Sequence, residues 1–375
     1  MSRIRVIHVA EAAGGVERYL QGLLKYSDHQ KIEDILICSQ NYDTSKFKDI
    51  ASKIYQVPMA HGISFSADRS VIKQIRKLLK ELKPDLVYAH SSKAGALTRL
   101  ACLGLKIPVI YNPHGWAFNM RQSKLKTCAY KMIEKIQVPF TTKIVCISEA
   151  EQKSALDNKI CKQDKLEVIP NGIDFAEIDK AKKLTRKELG IPDDAFVVGQ
   201  VGRLTKQKAP DIFVEMASRV KQEVPNAYFL MVGNGDQEAE IRQKIKALGL
   251  EDSFLITGWV ENPTSYINCM DVATLLSRWE GFGLVLAEYM YCGVPVVATK
   301  VDAIPYVLQN GKTGLLVEKD SPKAVVQAMI SLYNDDNLRK QLITQGLRTV
   351  QEKYDVQRVA EQTKEIYRII VDTTK

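Results

Sequence analysis

One short loop near the middle of the chain carries three cationic side chains. Arg203, Lys206 and Lys208 follow the apolar run Phe196–Val201. A helix is predicted to begin just after them, at Pro210. Because like charges this close repel one another, an anion bound among them would stabilise the loop. A diphosphate suits the set, since Arg offers a bidentate fork and Lys a point charge. A solvated basic loop is the alternative.

A second loop combines one carboxylate with two glycines. Glu280 is followed by Gly281, Phe282 and Gly283, and a helix is predicted from about Leu284. Glycine lets backbone N–H groups approach a ligand, and a helix N-terminus favours phosphate. A carboxylate beside a phosphate site needs another partner, and sugar hydroxyls that donate hydrogen bonds are suitable. The alternative is a carboxylate that only stabilises the helix dipole.

Glu288 is the only charged residue between Glu280 and Lys300. A buried carboxylate without partners costs on the order of several kcal/mol. Two ribose hydroxyls that donate to its two oxygens would satisfy it. A structural hydrogen bond to nearby backbone is the alternative.

Two histidines and a glycine pair follow apolar runs in the first half. His114 comes after Val109–Tyr111, and His90 comes after Leu86–Ala89. A lone histidine is more often structural, but two at adjacent strand ends suggest that one is functional. The Gly14-Gly15 pair is a further loop where backbone can approach a phosphate or an acceptor.

Strands and helices alternate along the whole chain. The predicted strands are Ile4–Ala10, Asp34–Ser39, Leu86–Ala89, Val109–Tyr111, Lys143–Ile147, Leu166–Ile169, Phe196–Val201, Tyr228–Val232, Phe254–Thr257, Val272–Leu276, Pro295–Thr299 and Gly314–Val317. The clearest predicted helices are Val16–Tyr26, Pro210–Glu223, Gln237–Ala247, Lys323–Leu332 and Val356–Val371. This rhythm predicts an α/β fold with parallel sheets, which bind ligands beyond the carboxyl ends of their strands.

The length of 375 residues predicts two domains. We predict doubly wound domains at 1–175 and 195–355, with a linker at 176–194. The last segment, 356–375, is predicted to be a helix that packs back on the first domain.

The sequence lacks the motifs of several other kinds of functional site. The chain contains no Asp-x-Asp pair, no phosphate-loop motif and no zinc-spaced His/Cys set. Its seven cysteines are scattered, which favours free thiols in a reducing cytosol. It also lacks a signal-peptide pattern and an apolar run of roughly 20 residues. These features predict a cytoplasmic location.

The positive charge is concentrated in the first half. Residues 1–175 hold 27 Lys and Arg against 17 Asp and Glu, whereas residues 176–375 hold 26 against 27. An anionic partner, either a phospholipid surface or a nucleic acid, would explain this imbalance. A solvated basic face is the alternative.

Taken in order, these motifs resemble the GT-B glycosyltransferases, specifically the large retaining glycosyltransferase family 4 that includes capsule-building enzymes. The most specific motif is the Glu-x7-Glu element from Glu280 to Glu288. Four further segments match the family: Gly202-Arg203-Leu204 with Lys208, Val168 to Asp174, Gly293 to Ala298, and Gly14-Gly15-Val16-Glu17.

The resemblance implies two Rossmann-like domains facing each other across a cleft, with the acceptor bound by the first and the nucleotide sugar by the second. It implies catalytic roles for Glu280, His114, Arg203 and Lys208. It implies substrate binding by Gly14, Gly15, Asn171, Gly202, Gly281, Phe282, Gly283, Leu284 and Glu288. His90 matches the family histidine less well than His114 does.

The family mechanism uses no metal or other cofactor. Arg203, Lys208 and the backbone amides of 281–284 would stabilise charge on the leaving diphosphate. The usual proposal is front-face attack, in which the leaving phosphate accepts the proton of the acceptor. One departure stands at Val301–Tyr306, where many members carry Gly-Gly-x-x-Glu, so donor or acceptor preference is expected to differ.

The resemblance also suggests the partners. We expect a nucleotide sugar, with uracil as the base, and a polyprenyl-diphosphate-linked saccharide as acceptor. Two basic stretches, Arg69–Lys83 and Arg121–Lys143, suit the anionic inner face of the plasma membrane, and the second follows Trp116, Phe118 and Met120. Packing of their apolar faces into the first domain is the alternative.

Two other functions are open at this stage. A sugar-nucleotide epimerase shares the architecture, but it usually lacks the Glu280 to Glu288 pattern. A nucleic-acid-binding protein would fit the pI of about 9.0, but the first half shows no recognised binding module, and we expect no nucleic-acid partner.

Overall fold

The structure is a computed structural model that describes residues 3–12, 14–60, 62, 64–120 and 122–374. The chain divides into two compact units. The first contains the residues up to Gly172 together with those from Val356 onward, and the second is Ile173–Asp355. The segment 176–194, predicted as a linker, is therefore grouped with the second unit.

The first unit contains a parallel sheet with helices between its strands. Its strands are Ile4–Ala10 (β1), Ile32–Ser39 (β2), Lys53–Val57 (β3), Leu86–His90 (β4), Val109–Asn112 (β5), Lys143–Cys146 (β6) and Leu166–Val168 (β7). Its helices up to Gly172 are Gly15–Lys25 (α1), Phe65–Leu82 (α2), Ser92–Cys102 (α3), Lys124–Gln137 (α4) and Glu149–Asp157 (α5). Within the described ranges the strand order is β3-β2-β1-β4-β5-β6-β7.

The second unit repeats the architecture. Its strands are Phe196–Val201 (β8), Ala227–Val232 (β9), Phe254–Ile256 (β10), Val272–Leu275 (β11), Val296–Thr299 (β12) and Leu315–Val317 (β13). Its helices are Phe175–Lys180 (α6), Pro210–Glu223 (α7), Glu238–Ala247 (α8), Thr264–Ile267 (α9), Leu284–Tyr291 (α10), Ile304–Val307 (α11), Pro322–Asn334 (α12) and Asp336–Lys353 (α13). The order β10-β9-β8-β11-β12-β13 is parallel at each pairing between described strands. The predicted α/β class with two doubly wound domains is confirmed.

The last helix, Val356–Thr374 (α14), packs against α1 in the first unit. Tyr367, Ile370 and Val371 are buried with residues of α1 in one hydrophobic cluster. Lys364 Nζ lies 3.2 Å from Asp28 Oδ2 at the edge of this contact. The predicted return of the C-terminal helix to the first domain is confirmed.

Sequence analysis missed one strand, β3. It lies at the edge of the first sheet and pairs with β2 alone among the described strands. Lys53 and Gln56 are exposed, and only Val57 is fully buried. An edge strand needs few apolar residues, so its hydrophobic pattern is weak.

None of the helices in the described part of the chain is both long and apolar enough to cross a membrane.

The contact between α1 and α14 depends on a glycine. A Cβ atom at Gly22 would lie 2.5 Å from Cγ2 of Val356. We expect Gly22→Ala to destabilise the protein by about 1–3 kcal/mol, because the added methyl group overpacks the contact. Thermal unfolding measures the change. Val356→Ala in the same chain removes Cγ2, so the double variant should recover part of the loss; strictly additive effects would contradict this account.

Candidate active site

Both sheets reverse their strand order once, and several of the predicted site residues follow the strands at these reversals, whereas His114 and Asn171 follow β5 and β7. In the second unit β9 and β10 lie to one side of β8, and β11 begins the other side. The loops after β8 and β11 therefore share the crevice beyond the carboxyl ends of their strands, where doubly wound sheets bind ligands. These loops contain Gly202, Arg203 and Lys208 after β8, and Glu280 after β11.

The loop after β8 is held by tight backbone packing. A Cβ atom at Gly233 would lie 2.2 Å from the carbonyl oxygen of Gly202, and one at Gly235 would lie 2.3 Å from that of Leu204. The amide of Leu204 also donates to the carbonyl of Asn234, at 2.8 Å. The glycines of Gly233-Asn234-Gly235 therefore have a packing role.

Arg203 differs from Lys208, whose ammonium is paired with a carboxylate. Its side chain is exposed, and within the described part of the chain it makes no hydrogen bond or ion pair. A guanidinium fixed at its base by a packed loop, with all its donors available, suits recognition of a phosphate.

Lys208, in the loop after β8, forms an ion pair with Glu280, in the loop after β11. Ser277 Oγ donates to the same carboxylate oxygen at 3.0 Å. The amide of Glu280 donates to Oδ2 of Asp302 at 2.9 Å. Asp302 belongs to the segment that departs from the family pattern, and its left-handed backbone, with φ of 42°, is tolerated by Asp. The segment that departs from the family pattern thus supplies the carboxylate of Asp302, which holds the backbone of Glu280 in place.

The start of α10 presents unpaired backbone donors. The amides of residues 281–285 donate no hydrogen bond within the part of the chain that the structure describes. Gly283 has a left-handed φ of 81°, and a Cβ atom there would lie 2.9 Å from a methyl group of Leu275. Free amides at a helix N-terminus form an anion site. The side chain of Phe282 is buried and its ring packs against Tyr354, so only the backbone of Phe282 is available to a ligand.

Glu288 lies on α10 and is only 1% exposed. The next residue, Tyr289, anchors the helix, since its hydroxyl accepts from the Val201 amide at 2.6 Å and contacts the Thr274 carbonyl at 3.4 Å. Burial, together with the charge of Glu288, raises the pKa of the Cys292 thiol to about 12. The carboxylate therefore sits in a poorly solvated position, as its sequence context predicted.

Sequence analysis missed Arg278, which ties the two loops together. Its guanidinium bonds both oxygens of Asp211, at 3.0 and 2.6 Å, and Asp320, at 2.6 Å. It also donates to the Lys206 carbonyl at 3.0 Å. Burial alone would raise the pKa of Asp211, but the hydrogen bonds and charge of Arg278 hold it below the usual value. Both carboxylates are distant in sequence, so no local motif marks Arg278.

In the first unit, His90 and His114 lie at neighbouring strand ends. His90 is the last residue of β4 and is fully buried, whereas His114 follows β5 and is partly exposed. Their rings are joined by a hydrogen bond of 3.2 Å between Nδ1 of His90 and Nε2 of His114. Burial lowers the pKa of His114 to about 3. The structure thus places the two histidines at adjacent strand ends, as sequence analysis expected, and joins their rings by a hydrogen bond.

The remaining predicted residues of the first unit are backbone or amide groups. Gly14 has a left-handed φ of 84°, and no atom lies within 4 Å of where a Cβ at Gly14 or Gly15 would stand. Asn171 is buried, and its Oδ1 has no hydrogen-bond partner within the described ranges. A ligand can approach the backbone of Gly14 and Gly15, and it can bond to the amide of Asn171. The binding roles of these three residues stay predictions.

Within the described residues, no group of three or more His, Cys, Asp or Glu is arranged to hold a metal ion.

Two family models match the chain. The model described as Glycosyltransferase Family 4 matches residues 13–177, and the model described as Glycosyl transferases group 1 matches residues 181–349. The chain is 31% identical over 338 residues to an uncharacterised 41.2 kDa protein in the cps region of Klebsiella pneumoniae, covering 88% of this chain and 90% of the relative.

Two relatives have named activities. One is the UDP-Gal:alpha-D-GlcNAc-diphosphoundecaprenol alpha-1,3-galactosyltransferase of Escherichia coli, with 28% identity and 89% of each chain covered. The other is the capsular polysaccharide biosynthesis glycosyltransferase CapM of Staphylococcus aureus, with 26% identity over 98% of this chain and 97% of the relative.

A solved structure supports the fold. Anabaena HepE, crystallised with UDP and glucose, superimposes with a TM-score of 0.81 at 19% identity, covering 97% of this chain and 99% of that one. The fold and the loops at the strand reversals define a GT-B glycosyltransferase. More specifically, the chain belongs to glycosyltransferase family 4.

Arg278 should control the order of the loop after β8. We expect Arg278→Lys to accelerate amide hydrogen exchange in residues 205–208 and to lower the unfolding midpoint, because the ammonium cannot span both carboxylates and the Lys206 carbonyl. Arg242→Lys is the matched control, since Arg242 pairs only with its helical neighbour Glu238 among side chains in the described residues. Unchanged exchange in 205–208 would show that Arg278 does not order the loop.

Proposed function

We propose that this chain transfers a hexose or N-acetylhexosamine from a UDP-sugar to a polyprenyl-diphosphate-linked saccharide during synthesis of a cell-surface polysaccharide, with retention at the anomeric carbon. The observation that carries the proposal is the anion site of the second unit. There the partnerless Arg203 guanidinium and the unpaired amides of 281–285 accompany the Lys208–Glu280 pair.

The chemistry of the donor half follows from these groups. Breaking the bond between the anomeric carbon and the diphosphate leaves negative charge on the β-phosphate. Preorganised amides and cations stabilise such charge most effectively in the transition state. We propose that Arg203, Lys208 and the amides of 281–284 do so without a metal ion, that Glu288 accepts from the ribose, and that Glu280 contacts the sugar.

Two relatives support the choice of partners. The Escherichia coli relative is named for a UDP-galactose donor and a diphosphoundecaprenol-linked acceptor, and the Staphylococcus aureus relative for capsular polysaccharide biosynthesis. Membership of a glycosyltransferase family also favours this proposal over an epimerase or a nucleic-acid-binding protein.

Nucleotide binding tests the donor site. UDP at 100 times its dissociation constant should stabilise the protein by about 2.7 kcal/mol, seen as a higher thermal midpoint. GDP, dTDP and ADP should give smaller shifts. Arg203→Ala should abolish the UDP shift and lower kcat/KM by about 100-fold, because a phosphate contact is lost, whereas Arg242→Ala should behave like the wild type.

The substrates are then identified by transfer assays with UDP-galactose, UDP-glucose and UDP-N-acetylglucosamine on a diphosphoundecaprenol-linked N-acetylglucosamine. If no nucleotide raises the thermal unfolding midpoint at millimolar concentration, the proposal of a nucleotide-sugar site in the second unit is wrong. A salt-titrated filter-binding assay with nucleic acid then tests the alternative.

We also infer that α4 binds the anionic inner face of the plasma membrane. Leu125, Met132 and Ile136 are 82%, 54% and 60% exposed. Their spacing of seven and four residues places them on one side of the helix. Lys124, Lys126 and Lys135 are exposed on the same helix. Such a basic amphipathic helix is typical of interfacial binding. Arg121, the first residue of the predicted basic stretch, lies outside the described residues.

The rest of α4 is fixed to the first unit by a buried ion pair. Glu134 lies 2.9 Å from Nη2 of Arg99 and accepts from the Tyr111 hydroxyl at 2.8 Å. The guanidinium of Arg99 also stacks on the Tyr111 ring, 4.1 Å from its centroid. This anchor holds the opposite face of α4, which leaves its apolar stripe uncovered within the unit. By contrast, Val71, Ile75 and Leu79 of α2 are buried in the first unit, as the alternative interpretation of Arg69–Lys83 expected.

Vesicle sedimentation tests the membrane contact. Reversal of Lys124, Lys126 and Lys135 to Glu should release the protein from phosphatidylglycerol vesicles, because each cation contributes about 1 kcal/mol. Reversal of Lys73, Lys77 and Lys80, which are exposed on α2, is the charge-matched control and should lower binding much less. Equal losses in both variants would mean that net charge, not α4, drives the binding.

A further inference from the structure

Four side chains form a continuous hydrogen-bonded series across the first sheet. Nε2 of His8 lies 3.0 Å from Oδ1 of Asp34, and Nδ1 of His8 lies 3.2 Å from Nε2 of His90. Nδ1 of His90 in turn lies 3.2 Å from Nε2 of His114. We name this series the histidine chain. It runs from the interior of the sheet to the predicted catalytic histidine.

The sheet topology aligns these residues. Strands β2, β1, β4 and β5 are adjacent, and His8 is registered with Leu36 on β2 and Tyr88 on β4. Alternate residues point to the same face of a strand, so Asp34, His8 and His90 share the face that packs against α1 and α14. Asp34, His8 and His90 are almost completely buried. Apolar side chains would be cheaper at such positions, which points to a role beyond packing.

The ends of the histidine chain differ. At one end, Nδ1 of the partly exposed His114 has no hydrogen-bond partner in the described part of the chain. At the other end, Oδ2 of Asp34 also lacks a hydrogen-bond partner among the described residues, and it lies 3.9 Å from Nδ1 of His29. The His29 side chain is almost half exposed. His29 therefore brings a half-exposed side chain close to Asp34, although the separation of 3.9 Å is longer than a hydrogen bond.

Burial determines which rings of the histidine chain can hold an added proton. Burial lowers the pKa of His90 far below its usual value, and neighbouring His114 and His8 add to the effect. The low pKa of His114 likewise keeps its ring neutral. Among the described residues, Asp34 is the carboxyl group that is hydrogen-bonded to this series of rings. Tyr19, Tyr88 and Tyr367 pack around the rings, and burial raises the pKa of all three, so they stay neutral.

We propose that the histidine chain is a proton relay that removes the proton released by glycosyl transfer. The proposal rests on the transferase function proposed above. The acceptor O–H bond breaks as the new glycosidic C–O bond forms, and the bond between the anomeric carbon and the diphosphate breaks with its electron pair on the diphosphate. The proton passes to Nδ1 of His114.

Each ring then passes on its other proton. Nε2–H of His114 gives its proton to His90, His90 gives its Nε2 proton to His8, and His8 gives its Nε2 proton to Asp34. All three rings end neutral with their tautomers reversed, the proton leaves from Asp34 to water, and each ring returns to its starting tautomer before the next turnover. His114 thus acts as a base without holding the positive charge itself.

The decisive variant is His90→Gln. A glutamine amide can accept from one neighbour and donate to the other, but it cannot pass a proton along. We expect kcat to fall about 100-fold, the usual contribution of a general base, with KM and the dissociation constant of UDP little changed. Tyr19→Phe, at a buried ring that contacts His114 outside the histidine chain, should keep the wild-type kcat.

A folded His90→Gln variant with wild-type kcat would overturn the relay and leave the diphosphate as the base. A second measurement does not depend on activity. In protein with ¹⁵N-labelled histidine, Asp34→Asn should shift the ring nitrogen resonances of His114, because the far end of the histidine chain sets its tautomer. Unchanged His114 resonances would also overturn the proposal, whereas failure of transfer in the wild type would count against the proposed function alone.

Discussion

Parallel pairing with a single reversal of strand order decides where this protein can do chemistry. In a parallel sheet every strand ends at the same edge, and at the reversal the connections leave toward opposite faces. The second unit places Arg203 and Glu280 at its reversal, between β8 and β11. The first unit places Gly14 and His90 at the equivalent position, between β1 and β4. The helices and hydrophobic cores around each sheet keep its strands in register.

Charge pairing then determines which groups are available to a ligand. Arg278 is neutralised by Asp211 and Asp320, so it serves as a structural cation under the loop. Lys208 is paired with Glu280, and a bound diphosphate would compete for that lysine. Arg203 is left without a protein partner among the described residues. Across the loops after β8 and β11, Arg278 is thus a committed cation, Lys208 is exchangeable, and Arg203 and Lys206 have no side-chain partner among the described residues, a gradation that sequence spacing alone does not show.

Sequence analysis succeeded where the signal is local. The spacing of Glu280 and Glu288 predicted the family, and the apolar strands predicted the fold. It missed Arg278 because the carboxylates that bind Arg278 are far away in sequence. It also missed the link from His90 to His8 and Asp34, since both of these lie inside strands and only register brings them together. Pairing across a sheet depends on topology, which one sequence does not reveal residue by residue.

The return of α14 to the first unit also orders events during synthesis. Residues 173–355 are contiguous and emerge from the ribosome before α14 does, so the second unit can fold while the first still lacks its last helix. Tyr367 of α14 lies 6.4 Å from the ring of His8 and helps to bury it. The polar interior of the first sheet is therefore sealed only late in translation. A nascent chain arrested before residue 356 would expose the face of the first sheet that α14 covers to chaperones and proteases, and it would have no means of completing its own core.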